Sequence, residues 1–201
     1  MYRVKHECEF TLEEYLSFED QSATKHEYLA GNIYAMAGAS PERNRLVANL
    51  MVAIGKRPEC AGYASDQKVW VPGCRLVTYP DLTYAYDKPR YEPDQKRGPL
   101  MLLNPALIIE VLSGSTEAWD RNGKWECYQT IESLRGYMLV AQDRGRIEHF
   151  ERGPGNAWLY TVATEGHISI PSIGCSLPLT EVYEGIEVPV CLSSGSYRPA
   201  G

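Results

Sequence analysis

Apolar residues along the chain fall into two rhythms. Leu46, Val47, Leu50, Met51 and Ile54 recur every three or four positions in SPERNRLVANLMVAIGKR, which predicts a helix with those five residues as its buried stripe. Ser40 is placed to cap that helix, and Pro41 suits its first turn. A second helix is predicted from Thr11, where Thr11 and Glu14 have the spacing of a capping box. The other rhythm is the short, nearly continuous apolar run of residues 105–112, which predicts a strand buried on both faces. Glu110 interrupts that run. A buried carboxylate without a partner is costly, so a metal, a cation or a proton is expected beside it.

Further elements follow from the same patterns. Short extended pieces are expected at His26–Leu29 and Ile33–Met36, with Gly31 and Asn32 turning between them. Residues 63–71 and 75–87 read as two longer extended segments. The polar, proline-containing stretch from Lys88 reads as a loop and as the most mobile part of the chain. STEAWDRNGKWECYQTI predicts a helix capped by Ser115 or Thr116, weakened but not ended by Gly123. GYMLVAQDRGRIEHFER reads as a hairpin turning near Asp143–Gly145, AWLYTVAT and HISI as strands, and PLTEVYEG as a short final helix. The alternation of helices and strands predicts an α/β or α+β fold, a mixed central sheet flanked by helices. One domain is expected over residues 1–190, with a loose polar tail over 191–201.

Composition narrows the functional classes. The 201 residues are 44% hydrophobic with a formal net charge of −6, so overall charge does not point to nucleic acid, although a local basic groove remains open to an acidic protein. No apolar stretch is long enough to span a membrane, and the first ten residues lack the core of a secretory signal, so a cytoplasmic location is expected. Cys8, Cys60, Cys74, Cys127, Cys175 and Cys191 form no C-x-x-C pair and are read as free thiols.

Candidate chemistry gathers around Glu110. Asp81 follows Pro80, which cannot donate to a strand ladder and marks a start, an edge or a bulge. On an extended chain Tyr79, Asp81, Thr83 and Ala85 share one face. If that segment pairs with the Glu110 strand, both carboxylates reach one side of the sheet. Their repulsion would be relieved by Mg²⁺ or Mn²⁺, hard ions suited to oxygen ligands. On the helix that follows, Arg121, Lys124 and Tyr128 share a face, with Glu117 one turn earlier. A lysine there can look back at Glu110 and offset charge developing on a phosphate.

Asp81 with Pro80 resembles the first motif of the PD-(D/E)XK nucleases. Glu110-Val111-Leu112 resembles the second, with Leu112 where lysine usually stands. More closely, TLEEYLSFE, HEYLAGNIYAMAGASPERN, YPDLTY, NPALIIEVLSGSTEAWDRNGKWECYQTI, GYMLVAQDRGRIEHFER and SIPSIGCSLPLTEVYEG resemble the Uma-two family of restriction-endonuclease-like proteins, over nearly all of residues 10–187. That resemblance implies a restriction-endonuclease-like fold, DNA as substrate and Mg-dependent phosphodiester hydrolysis. It implies metal binding by Asp81, Glu110 and the Val111 carbonyl, with Lys124 as the lysine moved to the next helix and Glu27 as an added acid. Arg43, Gly114 and Ala141 depart from residues common in the family, and none of them removes a carboxylate or the lysine. A homodimer is left open.

The plainer alternatives are a structural ion pair of Glu110 with Lys124 or Arg121, a strand-end role for Asp81, a solvated Lys124 and a hairpin-flanking Glu27. Tyr128 reads as a core residue with a bonded hydroxyl, Arg121 as peripheral, and Gln142 and Asp66 as strand-end residues that are not expected to line the cleft. At the level of function, the alternative is a non-catalytic nucleic-acid-binding or assembly module on the same fold.

Overall fold

A computed structural model describes residues 2–3, 9–55, 59–94 and 98–187. Helix α1 (Leu12–Glu19) starts at Thr11, whose hydroxyl accepts from the Glu14 amide at 3.2 Å while Glu14 accepts from the Thr11 amide at 2.7 Å. Helix α2 (Pro41–Ile54) starts at Ser40, whose Oγ accepts from the Arg43 amide at 3.1 Å. Such caps satisfy amides that a helix start leaves open and stabilise by about 1 kcal/mol each.

The strands up to the first long crossover are β1 (Tyr2–Arg3), β2 (His26–Leu29), β3 (Asn32–Ala35), β4 (Cys60–Ala64), β5 (Lys68–Val71), β6 (Leu76–Thr78) and β7 (Leu82–Tyr86). Then come β8 (Tyr91–Asp94), β9 (Gly98–Leu102), β10 (Leu107–Leu112), β11 (Gly136–Ala141), β12 (Ile147–Arg152), β13 (Trp158–Ala163), β14 (His167–Ile170) and β15 (Cys175–Pro178). Between β10 and β11 run α3 (Glu117–Trp119), a π-helical turn (Asp120–Lys124) and α4 (Trp125–Tyr128). Helix α5 (Leu179–Val182) follows β15.

Among the described residues these strands make two large mixed sheets and a hairpin. One sheet has the order β1-β3-β2-β6-β5-β9-β8, the other β13-β12-β11-β10-β7-β4, and β14 pairs with β15. The fold is therefore α+β, with mixed sheets flanked by helices. Strand β10 lies inside the second sheet, parallel to β11 and antiparallel to β7. All six of its residues are buried. Ile109 and Val111 pack with Leu46, Leu50 and Ile54 of α2. Ile108 and Leu112 pack on the opposite side with Tyr128, Leu134 and Leu139. By the two-residue period of a strand, Glu110 belongs to this second side, where α4 and the first sheet meet.

Several elements differ from the sequence reading. Residues 63–71 are not one strand: the chain leaves β4 in the second sheet and enters β5 in the first through a turn after Ala64. Residues 75–87 likewise split into β6 and β7, which lie in different sheets, so Tyr79, Asp81, Thr83 and Ala85 do not share one strand face. Pro80 and Asp81 sit at that crossing, the irregularity that proline demands. The expected loop from Lys88 contains β8 and β9, while residues 95–97 lie outside the described residues. Met51 is 43% exposed, so the α2 stripe is Leu46, Leu50 and Ile54, with Val47 only partly buried. The turn after β2 is Ala30–Gly31, both at positive φ (44° and 91°), one residue earlier than expected, and β15 was not foreseen. The 191–201 tail lies outside the described residues.

Candidate active site

Glu110 is 1% exposed, yet its carboxylate is not alone. Its Oε1 accepts from Lys124 Nζ at 3.0 Å and from the Tyr128 hydroxyl at 3.0 Å. Its Oε2 is buried and has no hydrogen-bond partner among the described residues. Lys124 and Tyr128 stand four residues apart and so present one helix face to β10. The turn that carries Lys124 is π-helical, and the Tyr137 hydroxyl of β11 donates to the Asp120 carbonyl at 2.9 Å, tying that turn to the sheet. A Cβ at Gly123 would lie 1.8 Å from the Trp119 ring, so any larger residue there forces the indole to move.

Lys124 also reaches Glu27 Oε1 at 3.0 Å and Asp120 Oδ1 at 3.1 Å. Glu27 comes from β2 of the other sheet, and Thr78 Oγ1 and Trp119 Nε1 donate to its two oxygens, the latter at 3.3 Å. Three carboxylates thus surround one ammonium, all nearly excluded from solvent. Burial works to lower the Lys124 pKa, but Glu110, Glu27 and Asp120 outweigh it and hold it well above the usual lysine value. Lys124 is therefore a cation that can donate hydrogen bonds, not a base. Burial pushes the Glu110 carboxyl up to about 8; Lys124 opposes that rise, and Asp120, Asp81 and Glu27 add to it.

Asp81 approaches from the other side of the strand. The β7–β10 ladder pairs Leu82 with Ile109 and ends there, one residue short of setting Asp81 against Glu110. Asp81 instead turns its Oδ2 to the Val111 amide at 2.8 Å. Arg43, in the first turn of α2, grips the same carboxylate. Its Nε lies 2.9 Å from Oδ1 and 3.1 Å from Oδ2, and its Nη2 lies 2.8 Å from Oδ2. Beyond this pair, Gln142 Nε2 donates to Ser40 Oγ at 2.8 Å and lines a cleft of about 300 Å³ at the ends of β10 and β11, together with Leu112, Ser113 and Arg144.

Of the residues singled out from sequence, Glu27, Glu110 and Lys124 meet directly, and Asp81 reaches them through the Val111 amide. Tyr128 is the bonded core tyrosine expected. Arg121 pairs with Glu117 and Glu148 rather than Glu110. Asp66 pairs with Lys25. Asp120 was missed, although it stands four residues before Lys124 and that spacing was the available signal. Thr78 and Trp119 were missed because only tertiary structure brings them to Glu27. The expectation of free thiols fails for Cys74 and Cys127, which form a disulfide with Cα atoms 5.6 Å apart, an ordinary bridging distance. The two are 53 residues apart in sequence, so spacing could not reveal the pairing. Cys8 and Cys191 lie outside the described residues.

Comparison with known proteins gives this arrangement its relatives. Residues 12–180 match Uma2, a family described as "Putative restriction endonuclease". The chain belongs to the Uma2 family. It is 35% identical over 155 residues to the uncharacterized protein sll1609 of Synechocystis sp., covering 75% of this chain and 85% of that one. It is 30% identical over 178 residues to the uncharacterized protein slr1290 of the same organism, covering 87% and 91%. Its fold matches the crystal structure of "a putative nuclease belonging to DUF820" from Anabaena variabilis with a TM-score of 0.68 at 15% identity, over 87% of this chain and 97% of that one. No helix among the described residues is long and apolar enough to cross a membrane.

Does this Uma2 chain offer a hard divalent ion what it needs? Among the described residues no three His, Cys, Asp or Glu side chains form a ready-made cluster. The donor types fit nonetheless. Glu110 Oε2 is a buried oxygen without a hydrogen-bond partner, and the acids Glu110, Glu27 and Asp120 gather around the single charge of Lys124. Asp81 fits in type, but Arg43 already shares its lone pairs.

Proposed function

We propose that this protein is a Mg²⁺- or Mn²⁺-dependent endonuclease that hydrolyses phosphodiester bonds in DNA. The observation that carries the reading is the Lys124 ammonium 3.0 Å from Glu110, delivered by the helix that follows the strand. Glu110 and Asp81, with the Val111 carbonyl, would supply the oxygen ligands. When bound there, the ion supplies Lewis acidity to the scissile phosphate and a lowered pKa to water. Lys124, kept protonated by its three carboxylates, orients the attacking water and offers positive charge to the phosphate as negative charge grows on it. Glu27 fixes Lys124 from the opposite sheet and accepts a hydrogen bond from that water. Burial excludes bulk water and strengthens each of these interactions.

The test is incubation of plasmid and single-stranded DNA with the protein and Mg²⁺, beside Asp81→Ala. Nicking or linearisation that needs the ion and disappears in the variant supports the reading; identical products from both proteins would count against it. One observation favours a second reading, a non-catalytic module on this fold: Arg43 occupies Asp81. DNA binding that persists without any cleavage, in Mg²⁺ and in Mn²⁺, would select it.

A further inference from the structure

Arg43 makes three close contacts to the Asp81 carboxylate, a planar fork on a planar acceptor. Its side chain is 13% exposed, against 7% for Asp81, 6% for Lys124 and 1% for Glu110. It is thus the most exposed of these four side chains. Its backbone is fixed by the Ser40 cap, but its long side chain is not tied to a second acid among the described contacts. A guanidinium binds phosphate as well as carboxylate and with the same two-pronged geometry. A divalent ion brought to Asp81 would sit beside this fixed positive charge and be repelled by it.

We propose that Arg43 is a resident cation that is exchanged during ligand binding: the divalent ion takes Asp81 from it, and a phosphodiester takes the guanidinium that is released. The inference rests on the metal-dependent reading of the site given above. Its consequence is a coupling. Metal alone binds weakly, because it must compete with Arg43. A phosphodiester offers Arg43 another partner and so tightens metal binding, and by reciprocity the metal tightens binding of the phosphodiester. Arg43 is then a positioning residue toward Asp81 in the free protein and a phosphate contact in the complex.

The experiment is a Mn²⁺ titration followed by the electron paramagnetic resonance of free Mn²⁺. It is run on wild type, Arg43→Gln and Arg43→Lys, each with and without a short phosphorothioate DNA duplex. Without DNA, Arg43→Gln is expected to bind Mn²⁺ at least tenfold more tightly than wild type. Arg43→Lys, which keeps the charge but loses the fork, is expected to fall between them. It also keeps the test open if Arg43→Gln, with Asp81 bereft of its cation, fails to fold. Adding duplex should tighten Mn²⁺ binding several-fold in wild type and much less in Arg43→Gln. If wild type and a folded variant bind Mn²⁺ equally, the exchange is overturned while the metal site stands. If the variant binds more tightly but DNA changes neither protein, the phosphate half is overturned. If no protein binds Mn²⁺, the exchange falls together with the metal-dependent reading.

Discussion

Lys124 Nζ lies 3.0 Å from Glu110 Oε1 and 3.0 Å from Glu27 Oε1, so one ammonium joins the central strand of one sheet to a strand of the other. The contact is structural and, on the proposed function, chemical as well. Removing it leaves Glu27, Glu110 and Asp120 buried without their shared cation, and breaking a buried pair in this way costs about 3–5 kcal/mol. Lys124→Ala is therefore expected to lower the melting temperature of the metal-free protein, with Mn²⁺ recovering part of the loss. Cleavage should fall by about 10²–10³. Adding Leu112→Lys should restore part of the activity, since residue 112 shares the strand face of Glu110, although a lysine in that core position also costs stability. Wild-type cleavage by a folded Lys124→Ala protein would falsify the catalytic reading of this lysine.

Glu110→Gln separates charge from shape. The amide oxygen can still accept from Lys124 and Tyr128, as Oε1 does now. What disappears is a negative charge that burial and three neighbouring acids already disfavour. The metal-free variant should melt at or above the wild-type temperature at pH 8, whereas the upward shift produced by Mn²⁺ should vanish. Differential scanning fluorimetry with and without Mn²⁺ checks both. An undiminished Mn²⁺ shift would remove Glu110 from the metal site.

How much of this was readable beforehand depends on the range of the forces involved. Local determinants were legible: the Thr11 and Ser40 caps, the β11–β12 hairpin and the all-buried β10 follow from residues within a few positions of each other. Glu110 stood out because an acid in an apolar run breaks a local rule, and Lys124 because the next helix must pass that strand. Sheet membership was not legible. Segments 63–71 and 75–87 each hold a local break, Ser65–Gln67 in one and Pro80–Asp81 in the other, but only packing decides that the two halves of each segment belong to different sheets. Arg43 was visible as a departure from the family pattern, but its grip on Asp81 joins residues 38 positions apart, beyond any spacing rule.

Gly123 offers a test of the lysine-bearing turn. A Cβ there would meet the Trp119 ring at 1.8, 2.2 and 2.8 Å, distances that force the indole to move. That indole donates to Glu27 Oε2, so the disturbance reaches the acid that holds Lys124. In an unstrained helix interior Gly→Ala would stabilise by about 0.5–1 kcal/mol. Here the opposite sign is expected: Gly123→Ala should destabilise by about 1–3 kcal/mol, the usual cost of overpacking, and should alter near-UV circular dichroism. Urea unfolding that shows the variant more stable than wild type would mean that Trp119 does not pack as described.

Glu148, on the outer part of the second sheet, carries the clearest pH dependence away from the site. Burial works to raise its pKa, but hydrogen bonds from Arg121, Tyr160 and Arg146 overcome it and hold the carboxyl at about 2. The contacts are 2.8 Å and 2.9 Å from Arg121, 2.6 Å from Tyr160 and 2.9 Å from Arg146. In the unfolded chain the same group titrates near 4.5. Between those two values the unfolded state binds the extra proton, so stability falls as pH falls. The contribution is complete above about pH 4.5 and gone below about pH 2. After allowance for solvent screening around the arginines it amounts to roughly 1–2 kcal/mol. Glu148→Gln should therefore be less stable than wild type at pH 7 by about that amount, and the gap should close as pH drops to 2. Chemical denaturation of both proteins at pH 7, 4 and 2.5 measures it. A gap that stays constant across that range would assign the loss to packing of the side chain rather than to its charge.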